Sequence, residues 1–172
     1  PRWKLYRRDV SLLDARKVQM SLKITYATMS ADNEELNHSF EKSVVEVQTR
    51  LGQIHGVIVN GDHRTDRELF EEVSPINRDI LVGRYAQATT SDVDDAVAAA
   101  KAFQPEWEAW GWERRRDLML RAADIMEAQT FDLSALLSYE VGKNRLEALG
   151  DVAETVEFLR YYSRQITEHN GF

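Results

Sequence analysis

Three carboxylates in the last third of the sequence have the spacing of a single helical face. Glu147, Asp151 and Glu154 stand at positions i, i+4 and i+7 of a segment whose other side is apolar. Two carboxylates set in a concave site can work as a general acid and a general base. A solvated stripe opposite an apolar stripe has the same spacing, and the sequence leaves both interpretations open.

The four histidines do not have the spacing of a metal site. None has a histidine partner four residues away or a neighbouring acid at the spacing of metal ligands. They are His38, His55, His63 and His169. Because histidine is often exposed, surface or turn positions are expected for them, and no metal site is predicted.

Cysteine is absent from the 172 residues. Disulfides, thiolate zinc sites and a cysteine nucleophile are therefore excluded within these residues. The eight glycines are scattered, and neither common phosphate-binding glycine loop is present. Residue types and spacing alone identify no catalytic residue and no cofactor-binding residue.

Three tryptophans cluster around Gly111 and precede a run of arginines. Trp107, Trp110 and Trp112 have aromatic faces that could stack on a base. The better interpretation is that these rings close the junction between two helices. The run Arg114-Arg115-Arg116 is interpreted as a solvated face.

The charge balance limits the classes of partner. Lys and Arg total 22 against 29 Asp and Glu, so the net charge is −7. Non-specific nucleic-acid binding needs a positive field that this balance does not supply. No apolar run approaches the roughly 20 residues that span a bilayer, and the start lacks the apolar core of a signal peptide. A cytoplasmic protein that binds neither nucleic acid nor membrane is expected.

The first 19 residues differ from the rest in charge. They carry six basic and two acidic groups, a balance of +4, whereas the remaining residues carry −11. Met20 follows this stretch and resembles an initiation site. Residues 1–19 are therefore interpreted as a basic extension or an expression remnant, with a basic arm for an acidic partner as the alternative.

The elements that position these residues follow from the periodicity. Residues 30–51 are expected to form a helical arm with Ser30 or Asp32 as its N-cap. Its buried stripe would contain Leu36, Phe40, Val44 and Val47. Strands are expected at residues 57–59, 69–73 and 80–85, with a type I′ turn at Asn60-Gly61 and a bulge at Gly83.

The second half is expected to be helical. Ser91 with Asp94 resembles a capping box, and Gln104-Pro105 would end that helix. Its buried stripe would contain Val93, Val97, Ala100 and Phe103. A helix at residues 112–129 would turn Leu118, Ala122, Ile125 and Met126 inward.

Two more helices complete the chain. One covers residues 131–141, with Leu133, Leu136 and Leu137 inward and Gly142 as its left-handed cap. The other runs over residues 145–166, with Leu149, Val152, Val156 and Leu159 on one stripe. The fold class predicted from the residues is α+β, mainly helical with a short β-hairpin and small sheet.

An ordered series of short motifs resembles the aldehyde dehydrogenase superfamily. It opens with Ser74-Pro75-Ile76-Asn77 and Ile80-Leu81-Val82-Gly83-Arg84, similar to the "NPA…VGRV" segment. It continues with Ala88-Thr89, Asp92-Val93-Asp94 and Ala96-Val97-Ala98-Ala99-Ala100, similar to the superfamily's first helix. The last of these motifs are Arg121-Ala122-Ala123-Asp124, Glu140-Val141-Gly142-Lys143 and Glu147-Ala148.

Two further segments most resemble the glutamate-γ-semialdehyde (1-pyrroline-5-carboxylate) dehydrogenase subfamily. They are the helix segment Phe158-Leu159-Arg160-Tyr161-Tyr162-Ser163-Arg164-Gln165 and the arm from Phe40-Glu41-Lys42 to Leu51-Gly52. The match covers about residues 36–168. It implies a helical arm at residues 20–52 and an incomplete N-terminal part of an α/β NAD-binding domain at residues 53–172.

The resemblance implies an NAD-dependent oxidation of glutamate γ-semialdehyde to glutamate in proline catabolism, by a homo-oligomer. In the family a cysteine thiolate attacks the aldehyde, hydride passes to the nicotinamide, and a glutamate activates the hydrolytic water. The family's catalytic cysteine, base glutamate, oxyanion asparagine and nucleotide-phosphate loop lie downstream of the region matched here. No dehydrogenase activity is therefore expected from these 172 residues alone.

The resemblance transfers one position. In the semialdehyde subfamily a glutamate on the helix that corresponds to residues 145–166 lies beside the substrate, and Glu147 is its nearest match. The alternative is that Glu147 is an ordinary acid on the helix surface.

The chain as a whole has a second interpretation. It could be a free-standing, non-catalytic interaction module derived from a truncated dehydrogenase, which would bind a partner through an apolar surface.

Overall fold

A computed structural model of the protein describes residue 30 and residues 32–172. Five helices and five strands make up this part of the chain. The helices are α1 (Glu34–Gln48), α2 (Thr90–Ala109), α3 (Gly111–Ala128), α4 (Thr130–Val141) and α5 (Arg145–Glu168). The strands are β1 (Gln53–His55), β2 (Val57–Val59), β3 (Asp62–Arg64), β4 (Leu69–Val73) and β5 (Leu81–Ala86). The prediction of a mainly helical fold with a small sheet is confirmed, and the interpretations of residues 1–19 and Met20 lie outside the described residues.

The larger sheet has three strands in the order β1-β5-β4. Strand β1 runs parallel to β5, and β4 runs antiparallel to it. The prediction for β4 is confirmed, and that for β5 is shifted by one residue. The sequence pattern does not predict β1, because three residues between Gly52 and Gly56 are too few to show an alternation.

A bulge interrupts the pairing of β4 with β5. Glu72 pairs with Gly83 and Val73 with Leu81, which leaves Val82 as the extra residue. The predicted bulge at Gly83 is therefore one residue away. A Cβ atom on Gly83 would lie 3.1 Å from the ring of Tyr85, so glycine keeps room for that ring.

The two-stranded sheet is the predicted hairpin. Strands β2 and β3 pair antiparallel, with Val59 opposite Asp62. Asn60 and Gly61 have φ of 51° and 83°, the pair of positive angles that a type I′ turn requires. The local turn chemistry of these two residues sets the register of the hairpin.

Helix α1 begins at a different cap from the predicted one. Asn33 has extended backbone, and its Oδ1 accepts a hydrogen bond from the Leu36 amide at 3.1 Å. The assignment of the N-cap to Ser30 or Asp32 is therefore wrong. The helix also ends before the predicted boundary, at Gln48.

The core lies where α1 packs against α4 and α5. One buried cluster contains Leu36, Phe40 and Leu149, and the other contains Val47, Ala135 and Tyr139. Half-buried Val44 packs against both clusters. The predicted stripe of α1 is thus confirmed, and it holds the arm against the later helices.

Helix α2 is capped two residues earlier than predicted. The Thr89 hydroxyl accepts a hydrogen bond from the Asp92 amide, and the Asp92 carboxylate accepts one from the Thr89 amide. The prediction of a capping box at Ser91 and Asp94 is wrong, because both residues already lie inside the helix.

Pro105 does not end α2, which continues to Ala109. A proline inside a helix removes one backbone hydrogen bond, a local loss that neighbouring contacts can offset. Here the rings of Phe103 and Trp107, which flank Pro105 in the sequence, contact each other with their centroids 6.4 Å apart. The predicted helix end at Gln104-Pro105 is therefore wrong.

The predicted buried stripe of α2 is exposed. Val93 and Val97 are 55% and 48% accessible, Ala100 is exposed, and Phe103 is half-buried. The prediction is wrong because α2 contacts mainly β2 and α3, and neither element covers Val93 or Val97. Among the described residues, no element packs on the apolar face of α2 in the way that α4 packs on α1.

The last three helices follow the predicted boundaries closely. Gly142 adopts φ 73° and caps α4 in the left-handed conformation, as predicted. On α5, Leu149, Val152 and Val156 are buried, and Leu159 is half-buried.

The predicted set of inward residues on α3 is wrong in part, because Leu118 and Ile125 are exposed and Ala123 is the buried residue. The three leucines of α4 are half-buried, because its small residues Ser134 and Ala135 face the core.

Candidate functional site

A buried carboxylate joins the hairpin to the start of α2. Asp92 is 1% exposed and accepts hydrogen bonds from two arginines of the hairpin region. Arg64 Nη1 lies 2.6 Å from Asp92 Oδ1, and Arg67 contributes Nη2 at 3.0 Å and Nε at 3.1 Å. The Thr89 amide donates to Asp92 Oδ2 at 2.8 Å. These four donors surround the carboxylate on both oxygens.

These contacts fix the ionisation of Asp92. Hydrogen bonds from Arg67, the Thr89 backbone and Arg64 hold its pKa far below the usual range, although burial acts in the opposite direction. The same contacts raise the pKa of Arg64 and of Arg67. A carboxylate held charged at all ordinary pH values is a poor proton donor or acceptor, so this cluster anchors the hairpin.

Sequence reasoning missed the Asp92 cluster. The usable signal is the spacing of Thr89 and Asp92, which is that of a capping box. The alternative box at Ser91 and Asp94 has the same spacing two residues later, so the sequence offers two equivalent registers. Only the position of the hairpin arginines distinguishes them.

Glu147 lies at the beginning of α5 and is exposed. Its Oε2 accepts a hydrogen bond from the Asn144 amide at 3.3 Å, and Asn144 Oδ1 accepts one from the Glu147 amide at 3.1 Å. This capping box explains a glutamate at the third residue of the helix. The contacts do not test whether Glu147 lies beside a substrate, which stays a prediction.

The other acids of α5 line up along the helix. Asp151 forms an ion pair with Lys143, which follows the left-handed cap of α4. Glu154 lies one turn further along and is exposed. The predicted single face is confirmed, and the carboxylates follow one another along it. Their arrangement is that of a solvated stripe anchored at its first turn.

Trp107 and Trp110 close the junction between α2 and α3, as predicted, whereas the ring of Trp112 lies against Arg116. The centroids of Trp107 and Trp110 lie 5.3 Å apart, and Gly111 turns the chain with φ 72°. The Arg114 guanidinium lies 3.7 Å from the centroid of Trp110. The interpretation of the arginines as a solvated face is therefore wrong in part, since Arg115 also lies near a tryptophan ring and is half-buried.

The N-termini of α2 and α5 do not fit the diphosphate of a dinucleotide. Such groups bind where helix N-terminal amides are free. At α2 and α5 those amides already donate hydrogen bonds to side chains of the capping boxes Thr89–Asp92 and Asn144–Glu147.

Within residues 30 and 32–172, no group of three His, Cys, Asp or Glu side chains is placed to hold a metal ion. In the same part of the chain, no helix combines the length and apolar character needed to cross a membrane.

Comparison with known proteins gives a consistent family assignment. The model of the aldehyde dehydrogenase family matches residues 62–171. The 1-pyrroline-5-carboxylate dehydrogenase of Staphylococcus haemolyticus is 34% identical over 129 residues, which cover 75% of this chain and 25% of that protein. That of Bacillus pumilus is 35% identical over 136 residues, 78% of this chain and 26% of that protein. The chain thus spans about a quarter of the length of the curated relatives it matches.

Solved structures show the same relationship. The 1-pyrroline-5-carboxylate dehydrogenase from Thermus, crystallised with bound NAD, superposes with a TM-score of 0.74 at 33% identity. The superposition covers 80% of this chain and 27% of that one. The described helices and strands therefore have the arrangement of one segment of that larger fold.

Proposed function

Because the chain belongs to the aldehyde dehydrogenase family, we propose that it is the N-terminal part of an enzyme that oxidises glutamate γ-semialdehyde to glutamate with NAD as the hydride acceptor. The observation that carries the proposal is the superposition on the Thermus 1-pyrroline-5-carboxylate dehydrogenase at 33% identity. The matching relatives in Staphylococcus and Bacillus are 1-pyrroline-5-carboxylate dehydrogenases, which supports the substrate.

In the intact enzyme these residues would have a structural role and would not take part in the chemistry of the thiolate nucleophile. Residues 53–172 would form the incomplete N-terminal part of the cofactor domain, and residues 20–52 its helical arm. The exposed valines of α2, Val93 and Val97, support this role, since an apolar stripe of this kind is usually buried against another element. We expect a homo-oligomer in the cytoplasm, with the hairpin near the contact between subunits.

The chain alone is expected to be inactive. Its 172 residues contain no cysteine, so they cannot supply the thiolate nucleophile of the family. The described residues also leave the helix N-termini of α2 and α5 occupied by their own side chains. We expect NAD to be held by residues outside this segment, because the resemblance places the nucleotide-phosphate loop downstream of it.

Glu147 is proposed to lie beside the aldehyde substrate. The support is its position at the first turn of α5, inside the segment that matches the semialdehyde subfamily. Its capping role and a substrate contact are compatible, because the box uses one carboxylate oxygen, Oε2. The second oxygen remains available to a ligand.

A chimera tests the proposal. Residues 36–168 replace the matching quarter of the Staphylococcus haemolyticus enzyme, and NADH formation is measured with glutamate γ-semialdehyde and with pentanal, an uncharged aldehyde of the same carbon number. Faster turnover of the semialdehyde supports the proposed substrate. Equal turnover of the two aldehydes, or NADH formation by the 172-residue chain alone, would contradict it.

A further inference from the structure

Two Asn-Gly pairs in the structure have nearly the same backbone conformation. Asn60 and Asn170 both adopt φ 51°, and the glycines that follow adopt 83° and 94°. Both asparagines are exposed. The two pairs differ in what surrounds the glycine, and this difference decides their chemistry.

The glycine amide of the hairpin is free, whereas that of the C-terminal pair is not. Gly171 N donates to the carbonyl of Ile166 at 2.8 Å, and a Cβ on Gly171 would clash with the Trp112 ring. Among the described residues, no acceptor pairs with the amide of Gly61, and nothing lies within 4 Å of its Cβ position. Gly61 is thus accessible to solvent and unconstrained by packing.

We propose that Asn60 is a site of spontaneous deamidation that modifies this protein in solution. The backbone nitrogen of Gly61 forms a bond to Cγ of Asn60, and the carboxamide C–N bond breaks. Ammonia leaves with the proton that was on the Gly61 nitrogen. Water then opens the five-membered succinimide at either carbonyl and yields aspartate or isoaspartate, with no oxidant or reductant.

The expected preference for Asn60 follows from the hydrogen bond at Gly171. That nitrogen must give up its bond to Ile166 before it can attack, whereas Gly61 N has none to break. A hydrogen bond of ordinary strength corresponds to about a fivefold difference in rate. Packing of Gly171 on Trp112 opposes the same movement, so at least this difference is expected in the folded chain.

Isoaspartate at position 60 would alter the anchor described above. It adds one methylene to the backbone of a turn that has room for two residues, so the pairing of Val59 with Asp62 is lost. Arg64, at the end of β3, is the residue that reaches Asp92. The modification therefore loosens the contact between the hairpin and α2.

The test is incubation of the purified chain at mildly alkaline pH, with peptide mass spectrometry at intervals. We expect isoaspartate and aspartate at position 60 to accumulate at least about fivefold faster than at position 170 in the native chain. In denaturing urea, where Gly171 loses its hydrogen bond, the two rates should become equal. Hydrogen exchange at residues 57–64 should rise in the isoaspartate form and stay unchanged in N60D, which has the charge without the extra methylene.

Two results would overturn the proposal. One is an Asn60 that keeps its amide while Asn170 loses its own. The other is a ratio of rates that is the same in native buffer and in urea, since the folded environment would then have no effect. The variant N60D, which has no carboxamide to lose at position 60, serves as the matched control.

Discussion

Arg64 Nη1 lies 2.6 Å from Oδ1 of Asp92, and this contact joins the end of the hairpin to the first turn of α2. The hairpin forms a sheet of its own, without strand pairing to the three-stranded sheet. Its position therefore depends on side-chain contacts, of which the Asp92 cluster is the most buried. Asp92 at once caps a helix and holds the strand pair that precedes it.

Replacing Asp92 by asparagine should destabilise the chain. In D92N one of the oxygens that accept from the arginines becomes a donor, and the guanidinium groups lose their charged partner. The urea midpoint is expected to fall, with faster hydrogen exchange in both the hairpin and the first turn of α2. D95N is the matched control, because Asp95 contacts the same Arg64 atom at 2.8 Å but is half exposed. Equal loss in the two variants would show that burial of Asp92 contributes nothing.

The stability of the chain should fall in acid, and Asp92 should account for part of that fall. The pKa of Asp92 is lower in the folded chain than its ordinary value of about 3.9. Its stabilisation is therefore complete above that ordinary value and is lost as the pH falls below it. Urea titrations between about pH 5 and pH 2 should show a flatter acid limb in D92N than in the parent. If stability falls equally steeply with pH in D92N and in the parent, the depressed pKa of Asp92 is contradicted.

Truncation of Leu149 should lower the free energy of unfolding, because this residue belongs to the core. Leu149 is fully buried between Leu36 and Phe40, so L149A is expected to cost about 2–5 kcal/mol of unfolding free energy. The control V97A changes an exposed residue of α2 and should stay within about 0.5 kcal/mol. Denaturant unfolding of the two variants measures both values. A large loss in V97A would contradict the exposure of the apolar face of α2.

Glu147 can be probed by separating its charge from its capping oxygen. In the chimera, E147Q keeps an acceptor for the Asn144 amide, whereas E147A removes it. E147A is expected to cost about 1 kcal/mol of stability, and E147Q much less. If the carboxylate faces the substrate, E147Q should also raise KM for glutamate γ-semialdehyde, and E154Q should not. Unchanged KM in E147Q would leave Glu147 with its structural role only.

The predictable parts of the fold are those set by local chemistry. Asn60-Gly61 requires positive φ at two successive residues, and Gly142 follows a regular apolar period, so the hairpin and the end of α4 follow from the sequence. The register of α2 does not, because Thr89 and Ser91 both precede an acid at the same spacing. The exposure of Val97 is equally hidden, since periodicity shows that a helix has an apolar face but not what lies against it.

The candidate site shows the same division. The spacing of Glu147, Asp151 and Glu154 places them on one face, and the structure confirms it. The Asp92 cluster depends on Arg64 and a helix that begins 25 residues later in the chain, and such contacts leave no local signal. The ordered motifs identify the family from the sequence, whereas the contact of Arg64 with Asp92 is visible only in the folded structure.

The rate of NADH formation by the chimera with glutamate γ-semialdehyde tests most directly whether the described residues work as a segment of an aldehyde dehydrogenase. The Staphylococcus haemolyticus enzyme, rebuilt through the same two junctions with its own segment, is the reference. We predict a folded chimera whose rate is clearly above that of a variant lacking the catalytic thiol of the parent. A folded but inactive chimera, or one that fails to fold while the rebuilt reference is active, would contradict the claim.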